Sequence, residues 1–148
     1  MSYLQGLYDK NQEKKKKKED QCIKTPVTVY EDSLKTVKPL QRIVKTALQN
    51  DRVKKDYPKI KKRLEDGIHP LDITKKSTGV KCGTPGKKNY YIIKIGCARY
   101  VVEYIVTEDS RVVNILGIGA RGNGSNMKSL KNALSKEYNL VLKYSDFN

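Results

Sequence analysis

The feature that most constrains the fold is a run of strand-forming residues in the second half of the chain. YYIIKIGCARYVVEYIV, residues 90–106, is rich in tyrosine, valine and isoleucine, and VVNILGI, residues 112–118, continues the pattern. Such residues favour β-strands. The connections GCA and TEDSR are short enough for β-hairpins. We therefore expect three antiparallel, neighbouring strands over residues 90–95, 100–106 and 112–118.

Charged side chains interrupt these strands. Lys94, Arg99 and Glu103 lie within them. Because successive side chains of a strand point to opposite faces, Lys94 and Arg99 can share one face while their neighbours fill a core. We expect that face to be open to solvent. We also expect Glu103 to orient Lys94 or Arg99 through an ion pair across the hairpin.

The first half of the chain predicts a strand and a helical hairpin. TPVTVY, ending at Tyr30, alternates like a first strand. A helical stripe follows Pro39, and a second helix is expected to start at Pro58 and to stop at Gly67. The first stripe consists of Leu40, Ile43, Val44, Ala47 and Leu48.

The remaining segments complete an α+β fold. Residues 67–89 are rich in turn residues and predict a loop with one short edge strand around Ile73, and His69 is expected to cap or pack. Met127, Leu130 and Leu134 predict a short C-terminal helix. The expected architecture is an N-terminal strand and a helical hairpin packed on a twisted antiparallel sheet.

Length and charge limit the organisation and the partners. The 148 residues suit one domain, residues 25–148, preceded by a basic, flexible arm over residues 1–24 that contains five consecutive lysines. Lys and Arg number 31 against 16 Asp and Glu, a net charge of +15. This excess favours nucleic acid as the partner. The apolar stretches are shorter than the roughly 20 residues that cross a bilayer, so no membrane partner is expected.

Histidine and cysteine are too sparse to predict a metal centre. The chain has one histidine and three cysteines without CxxC spacing. Neither a zinc site nor a disulfide framework is therefore expected. We predict no metal, no cofactor and a cytoplasmic location.

The three predicted strands resemble a known family. The motifs Y-x-I-K-I, R-Y-V-V-E-Y-I-V and R-V-V-N-I-L-G-I-G-A-R, from Tyr91 to Arg121, resemble the RelE/ParE superfamily of small basic bacterial toxins, and the resemblance extends over residues 26–135. RelE-like members are ribosome-dependent mRNA endonucleases that use Lys, Arg and Tyr on the concave sheet face. The resemblance implies mRNA, the ribosome and an antitoxin protein as partners. It also implies that Lys94 and Arg121 are catalytic.

Two positions differ from the family pattern. Val101 stands where an arginine usually follows the tyrosine of the middle strand, and Ile92 replaces a lysine. Arg99 lies about 7 Å from Val101 along the strand, so it is the candidate for a displaced guanidinium. For the family's C-terminal tyrosine the candidates are Tyr138 and Tyr144.

These residue types suit RNA cleavage by the neighbouring 2′-hydroxyl. The reaction needs a base for the hydroxyl proton and cations for the phosphorane. Arg99 and Arg121 match the negative charge, and Lys94, crowded by cations, should have a lowered pKa and act as a base or charge stabiliser. The candidate RNA-binding residues are Lys75, Lys76, Lys81, Lys87, Lys88 and Tyr138.

Three functions remain open from the sequence. The first is a RelE-like, metal-independent mRNA endonuclease. The second is a ParE-like toxin that inhibits DNA gyrase, which the residues at Val101 and Ile92 favour. The third is a noncatalytic RNA- or ribosome-binding protein whose N-terminal arm is the main contact.

Overall fold

The computed structural model describes residues 27–86, 89–122 and 124–148, which form a mixed α and β fold. Its strands are β1 (Val27–Tyr30), β2 (Thr78–Cys82), β3 (Tyr90–Ile95), β4 (Ala98–Val106), β5 (Arg111–Ala120) and β6 (Leu140–Val141). Its α-helices are α1 (Asp32–Thr36), α2 (Lys38–Ala47), α3 (Asp51–Glu65), α4 (Pro70–Ile73) and α5 (Gly124–Tyr138). A 3-10 helix (Tyr144–Phe147) follows β6. The predicted arm, residues 1–24, lies outside the described residues.

The described strands form one sheet of six, in the order β1-β5-β4-β3-β2-β6. β1 runs parallel to β5, and the other neighbours are antiparallel. The predicted meander of β3, β4 and β5 is thereby confirmed. Gly96, with φ of 53°, forms the tight turn between β3 and β4. This is a backbone conformation that glycine adopts without steric cost.

Apolar side chains cover both faces of the sheet. One cluster, the α3-side core, places Val53, Ile60 and Leu64 of α3 against residues of β3, β4 and β5 such as Ile93 and Tyr100. The other, the α5-side core, lies on the opposite face. It includes Tyr90, Ile92, Val101, Leu116, Met127, Leu130, Ala133, Leu134, Leu140, Leu142 and Phe147. Helix α2 packs on β5 and contributes to both clusters.

The expectation of an open sheet face is therefore wrong. The helix predicted to be short spans 15 residues, and together with β6 and the 3-10 helix it covers the face that carries Lys94. The physical reason is that α5 has its own apolar stripe, which is removed from water only by packing on this face.

A β-bulge at Leu116 decides which β5 side chains face α5. Val101 pairs with Gly117 but Val102 pairs with Ile115, so Leu116 is an extra residue in β5. An extra residue reverses the alternation of side chains beyond it. As a result Gly117 and Gly119 lie under α5.

These two glycines allow α5 to approach the sheet closely. A Cβ at Gly117 would lie 2.5 Å from Leu130 Cδ1, and one at Gly119 would lie 2.9 Å from Met127 Sδ. Residues 117–122, GIGARG, match the G-x-G-x-x-G pattern of dinucleotide-binding loops and run from the end of β5 into the turn before α5. Here the first two glycines lie within β5, beneath helix side chains, so their role is packing.

Two further local predictions differ from the structure. Helix α3 begins at Asp51, well before Pro58, because the Asn50 side chain caps it by accepting hydrogen bonds from the Arg52 and Val53 backbone N–H groups. Pro58 lies inside α3 on its exposed side. Ile73 belongs to α4, and the strand of this segment is β2, which begins five residues later and lies between β3 and β6 instead of at an edge.

The helix stop at Gly67 is confirmed. Gly67 has a φ of 94° directly after the end of α3. Its N–H donates to the Leu64 carbonyl at 3.0 Å, and the Ile68 N–H donates to the Arg63 carbonyl at 3.2 Å. These are the bonds of a glycine-terminated helix.

Candidate anion site

The sheet register brings Lys94, Arg99 and Arg121 to one end of the molecule. Lys94 of β3 pairs directly with Arg99 of β4, and Arg99 pairs with Gly119 of β5, two residues before Arg121. The Arg121 backbone N–H donates to the Cys97 carbonyl at 2.6 Å, which extends the pairing to the β3–β4 turn. Lys94 and Arg99 lie on the face covered by α5 and the C-terminal segment.

Arg99 is held by the backbone around it. Only 2% of the residue is exposed. Its Nε donates to the Phe147 carbonyl at 2.5 Å, and one terminal nitrogen donates to the carbonyls of Gly96 and Ala98 at 2.8 and 2.7 Å. Arg99 therefore ties the C-terminal segment to the sheet, and its positive charge is fixed in place.

Lys94 has a buried stem and an ammonium that reaches solvent. The residue is 6% exposed, and its ammonium makes no hydrogen bond or ion pair with another described residue. Yet no buried side-chain nitrogen or oxygen among the described residues lacks a hydrogen-bond partner. The ammonium nitrogen is therefore itself accessible, as in other lysines whose aliphatic stems lie along apolar surface.

The surroundings of Lys94 favour its neutral form. Burial lowers the pKa of the Lys94 ammonium, and the charges of Arg99, Arg121 and Lys76 lower it further, while Asp146 acts in the opposite direction. This is the direction that the sequence predicts. We call Lys94, Arg99, Arg121 and Lys76 the cationic cluster.

Among the described residues, Asp146 is the carboxylate that raises the pKa of Lys94. Asp146 lies in the 3-10 helix, where its carboxylate accepts a hydrogen bond from the Lys143 backbone N–H at 2.6 Å. Lys94 and Arg99 are like charges directly opposite each other on paired strands, an unfavourable arrangement. A bound anion such as a phosphate would relieve this repulsion.

Glu103 does not take part in this site. Its carboxylate accepts a hydrogen bond from Asn114 Nδ2 at 3.0 Å, and its hydrogen bond with Tyr90 raises the pKa of that phenol further, after the larger effect of burial. The expected ion pair with Lys94 or Arg99 is wrong because the register places Tyr90 and Asn114 opposite Glu103.

The two tyrosine candidates lie in different places. Tyr138 packs beside Tyr90 and Cys82, and Tyr90 is about 13 Å from Lys94 along β3. Tyr144 belongs to the same 3-10 helix as Asp146 and is 50% exposed. The Lys131 ammonium lies 5.2 Å from the centre of its ring.

Of the candidate RNA-binding lysines that the structure describes, Lys76 acts on the pKa of Lys94. Lys75, Lys76 and Lys81 are exposed, and of these Lys76 is close enough to lower the pKa of Lys94. Lys87 and Lys88 lie outside the described residues.

His69 is on the other side of the sheet. Its Nδ1 accepts a hydrogen bond from the Leu71 backbone N–H at 3.0 Å and so caps α4. Its ring packs edge-on against Tyr91 and Tyr104, with ring centres 5.0 and 4.9 Å away. The predicted capping and packing role is confirmed.

Comparison with known proteins adds no family to this picture. Neither models of protein families, nor curated protein sequences, nor solved structures give a match to the chain. Within the described residues, no group of three His, Cys, Asp or Glu side chains is placed to hold a metal ion. The helices of the same residues include none with the length and hydropathy of a membrane span.

Proposed function

We propose that the chain binds single-stranded RNA at the cationic cluster and cleaves it as a RelE-like endoribonuclease. One observation carries the proposal: the ammonium of a buried lysine, Lys94, reaches solvent beside Arg99 and Arg121 without a hydrogen bond to any described residue. Burial and the neighbouring cations make the charged form of Lys94 unfavourable in the folded state. A phosphodiester would provide the missing counter-charge.

The proposed reaction uses the RNA as its own nucleophile. Arg121, which is exposed, contacts a non-bridging phosphate oxygen, and Arg99 adds its fixed charge from behind. Neutral Lys94 takes the proton of the 2′-hydroxyl, whose oxygen attacks the adjacent phosphorus. The bond to the 5′ oxygen breaks, and that oxygen receives a proton from the Lys94 ammonium or from water. The products are a 2′,3′-cyclic phosphate and a 5′-hydroxyl.

The resemblance to RelE supplies the biological setting of the proposal. It makes mRNA on the ribosome the substrate, an antitoxin protein the inhibitor and the cytoplasm the location. The net charge of +15 supports a polyanionic partner of this kind.

The test separates binding from cleavage. Purified protein is incubated with a 5′-labelled single-stranded RNA, alone and on programmed ribosomes, and the product ends are identified by mass spectrometry. Lys94→Ala and Arg121→Ala should each reduce cleavage at least about a hundredfold, the size expected for loss of one acid–base or oxyanion group. The control Lys35→Ala removes an exposed lysine of α1 and should be without effect.

Two results would contradict the proposed activity. Cleavage that persists in Lys94→Ala would remove the lysine from the mechanism. Products with a 5′-phosphate would show that water, and not the 2′-hydroxyl, attacks. A substrate with 2′-deoxyribose at the scissile position should bind but remain intact.

A noncatalytic RNA-binding protein of the same fold is the second candidate. It is favoured by Arg99, whose three bonds to backbone carbonyls prevent it from following a substrate through the reaction. Binding that depends on Lys94 and Arg121, without cleavage of free or ribosome-bound RNA, would establish this alternative.

A further inference from the structure

A second strongly basic surface lies on the outward face of α3. Four cations recur there at intervals of three or four residues: Arg52, Lys55, Lys59 and Lys62. With about 100° of rotation per residue, this spacing places them on one stripe. The buried positions Val53, Ile60 and Leu64 lie on the opposite side of the helix, against the sheet. We call the four cations the α3 stripe.

The α3 stripe is exposed, and its four cations outnumber the two aspartates beside them on the helix, Asp51 and Asp56. All four side chains are exposed, and none lies within ion-pair distance of a carboxylate among the described residues. The ion pair that α3 does form joins Lys61 to Glu31 at 3.4 Å. Like charges at these spacings destabilise a helix by about 0.2 to 0.5 kcal/mol per pair. Asp51 and Asp56, three or four residues from stripe cations, offset part of this repulsion, and a polyanion bound along the stripe would remove the remainder.

The shape and chemistry of the stripe favour a particular polyanion. Its ends are ten residues apart, which is about 15 Å along a regular helix. Proteins that hold single-stranded nucleic acid stack its bases on exposed aromatic rings. The aromatic residue of α3 is Tyr57, which faces inward and stacks on Tyr100 with 6.0 Å between ring centres. The stripe therefore offers contacts to phosphates and none to bases.

We propose that the α3 stripe binds the sugar-phosphate backbone of double-helical RNA. A rigid row of cations without base-reading groups suits a duplex, which is recognised through its shape and phosphates. The stripe and the cationic cluster lie on opposite faces of the sheet, because α3 packs on the α3-side core and Lys94 lies on the α5 side. A duplex on α3 thus leaves the cluster free for a single strand. The choice of RNA over DNA rests on the proposed function.

The test uses a charge-neutralised variant of the full chain. In R52Q/K55Q/K59Q/K62Q, glutamine keeps the helix propensity while four charges are lost. Binding to a fluorescent 20-base-pair RNA duplex is followed by anisotropy from 50 to 200 mM KCl. The variant should bind at least about tenfold more weakly, and its plot of log affinity against log salt should be shallower by about 3.6, since each of four lost phosphate contacts contributes about 0.9.

A matched variant controls for the loss of net charge. K35Q/K38Q/K128Q/K136Q removes four exposed lysines from α1, α2 and α5. It should retain most of the duplex affinity and of the salt dependence. Equal losses in the two quadruple variants would overturn the proposal, because binding would then follow total charge alone. Retention of affinity in the α3 variant would overturn it as well.

Different variants test duplex binding by the α3 stripe and RNA cleavage at the cationic cluster. Lys94→Ala and Arg121→Ala should leave duplex affinity within about twofold, whereas the α3 variant should still cleave a short single strand. Tighter binding of duplex DNA than of duplex RNA would overturn the choice of RNA. Preferential binding of a polyglutamate peptide over both duplexes would overturn nucleic acid as the partner.

Discussion

Lys94 keeps its charge at a cost to the stability of the fold. Its pKa is lowered from the ordinary 10.5 by burial and then by Arg99, with further contributions from Arg121 and Lys76. At pH values between the lowered pKa and 10.5, Lys94 is protonated to a greater extent in the unfolded chain than in the folded one. Stability therefore rises as the pH increases through that window. At pH values below the lowered pKa, where Lys94 is protonated in both states, its buried charge destabilises the folded state by a constant amount.

Lys94→Met should stabilise the protein while impairing RNA binding. Methionine has a similar length and no charge, and relief of this kind amounts to about 1 kcal/mol. We expect a higher free energy of unfolding in urea at pH 7.5, and at least about tenfold weaker binding of a noncleavable single-stranded RNA. Lys35→Met, at an exposed position of α1, should change neither quantity appreciably. A destabilised Lys94→Met variant would mean that the ammonium has a stabilising partner.

Asp146 is the carboxylate that opposes the cationic cluster from within the chain. It raises the pKa of Lys94, and the Phe147 carbonyl beside it in the 3-10 helix accepts a hydrogen bond from Arg99. Asp146→Asn should strengthen single-stranded RNA binding by about two- to tenfold, the range for one partly screened charge. Asparagine can still accept the hydrogen bond from the Lys143 N–H. Anisotropy titrations against Asp109→Asn, a change in the β4–β5 turn, would show whether the effect is local.

At the scale of elements, the docking of α5 on β5 determines the shape of the site. Asn126 joins the two elements: its Oδ1 accepts from the Ala120 N–H at 2.8 Å, and its amide nitrogen donates to the Ile43 carbonyl of α2 at 3.1 Å. The glycines of β5 supply the space for Leu130 and Met127. The end of β5 that presents Arg121 is therefore held by α5.

Gly117→Ala should destabilise the protein through overpacking. The added Cβ would lie 2.5 Å from Leu130 Cδ1, within a fully packed cluster, and such insertions typically cost about 1 to 3 kcal/mol. Urea unfolding should show this loss, and the loss should be smaller when Gly117→Ala is made in a Leu130→Ala background, where the contacting side chain is absent. Gly79→Ala in β2 is the matched control, because a Cβ there meets nothing within 4 Å. Equal stabilities of the two alanine variants would mean that α5 does not pack closely on β5.

At the scale of the whole molecule, the two sheet faces separate the two basic regions. The α3 side also contains His69, between Tyr91 and Tyr104 and near the buried Arg111. Burial and, more weakly, Arg111 lower the pKa of His69, while Asp72 opposes them. The unfolded chain therefore gains a proton near the ordinary pKa of 6.5, before the folded chain does.

Global stability should thus fall as the pH is lowered from about 7 through 6.5 towards the lowered pKa of His69. Below both pKa values this contribution is constant. Thermal melts between pH 7.5 and 5 would measure the loss. His69→Asn keeps a side-chain acceptor for the cap of α4 but does not titrate, so its stability should depend less on pH. Identical pH profiles for the two proteins would exclude His69 as the cause.

Local sequence signals were sufficient for several elements. The β3-β4-β5 meander followed from alternation and short turns, and Gly67 marked the end of α3, because these features depend on neighbours in the chain. Lys94 and Arg99 could be placed side by side for the same reason: a tight turn at Gly96 sets the register of the hairpin. The sequence was thus sufficient to predict that Lys94 and Arg99 are neighbours on paired strands.

Tertiary packing decided what surrounds those cations. No local signal shows that α5 would cover the face predicted to be open, since an apolar helix stripe can pack on either side of a sheet. The alternation beyond Leu116, and with it the placement of Gly117 and Gly119 under α5, depends on one extra residue whose bulge is specified by pairing with β4. Alternation and turn residues were enough to predict a basic chain with an antiparallel meander and adjacent charges. Only packing decided that Lys94 is buried up to its ammonium, because burial depends on contacts between residues far apart in the chain.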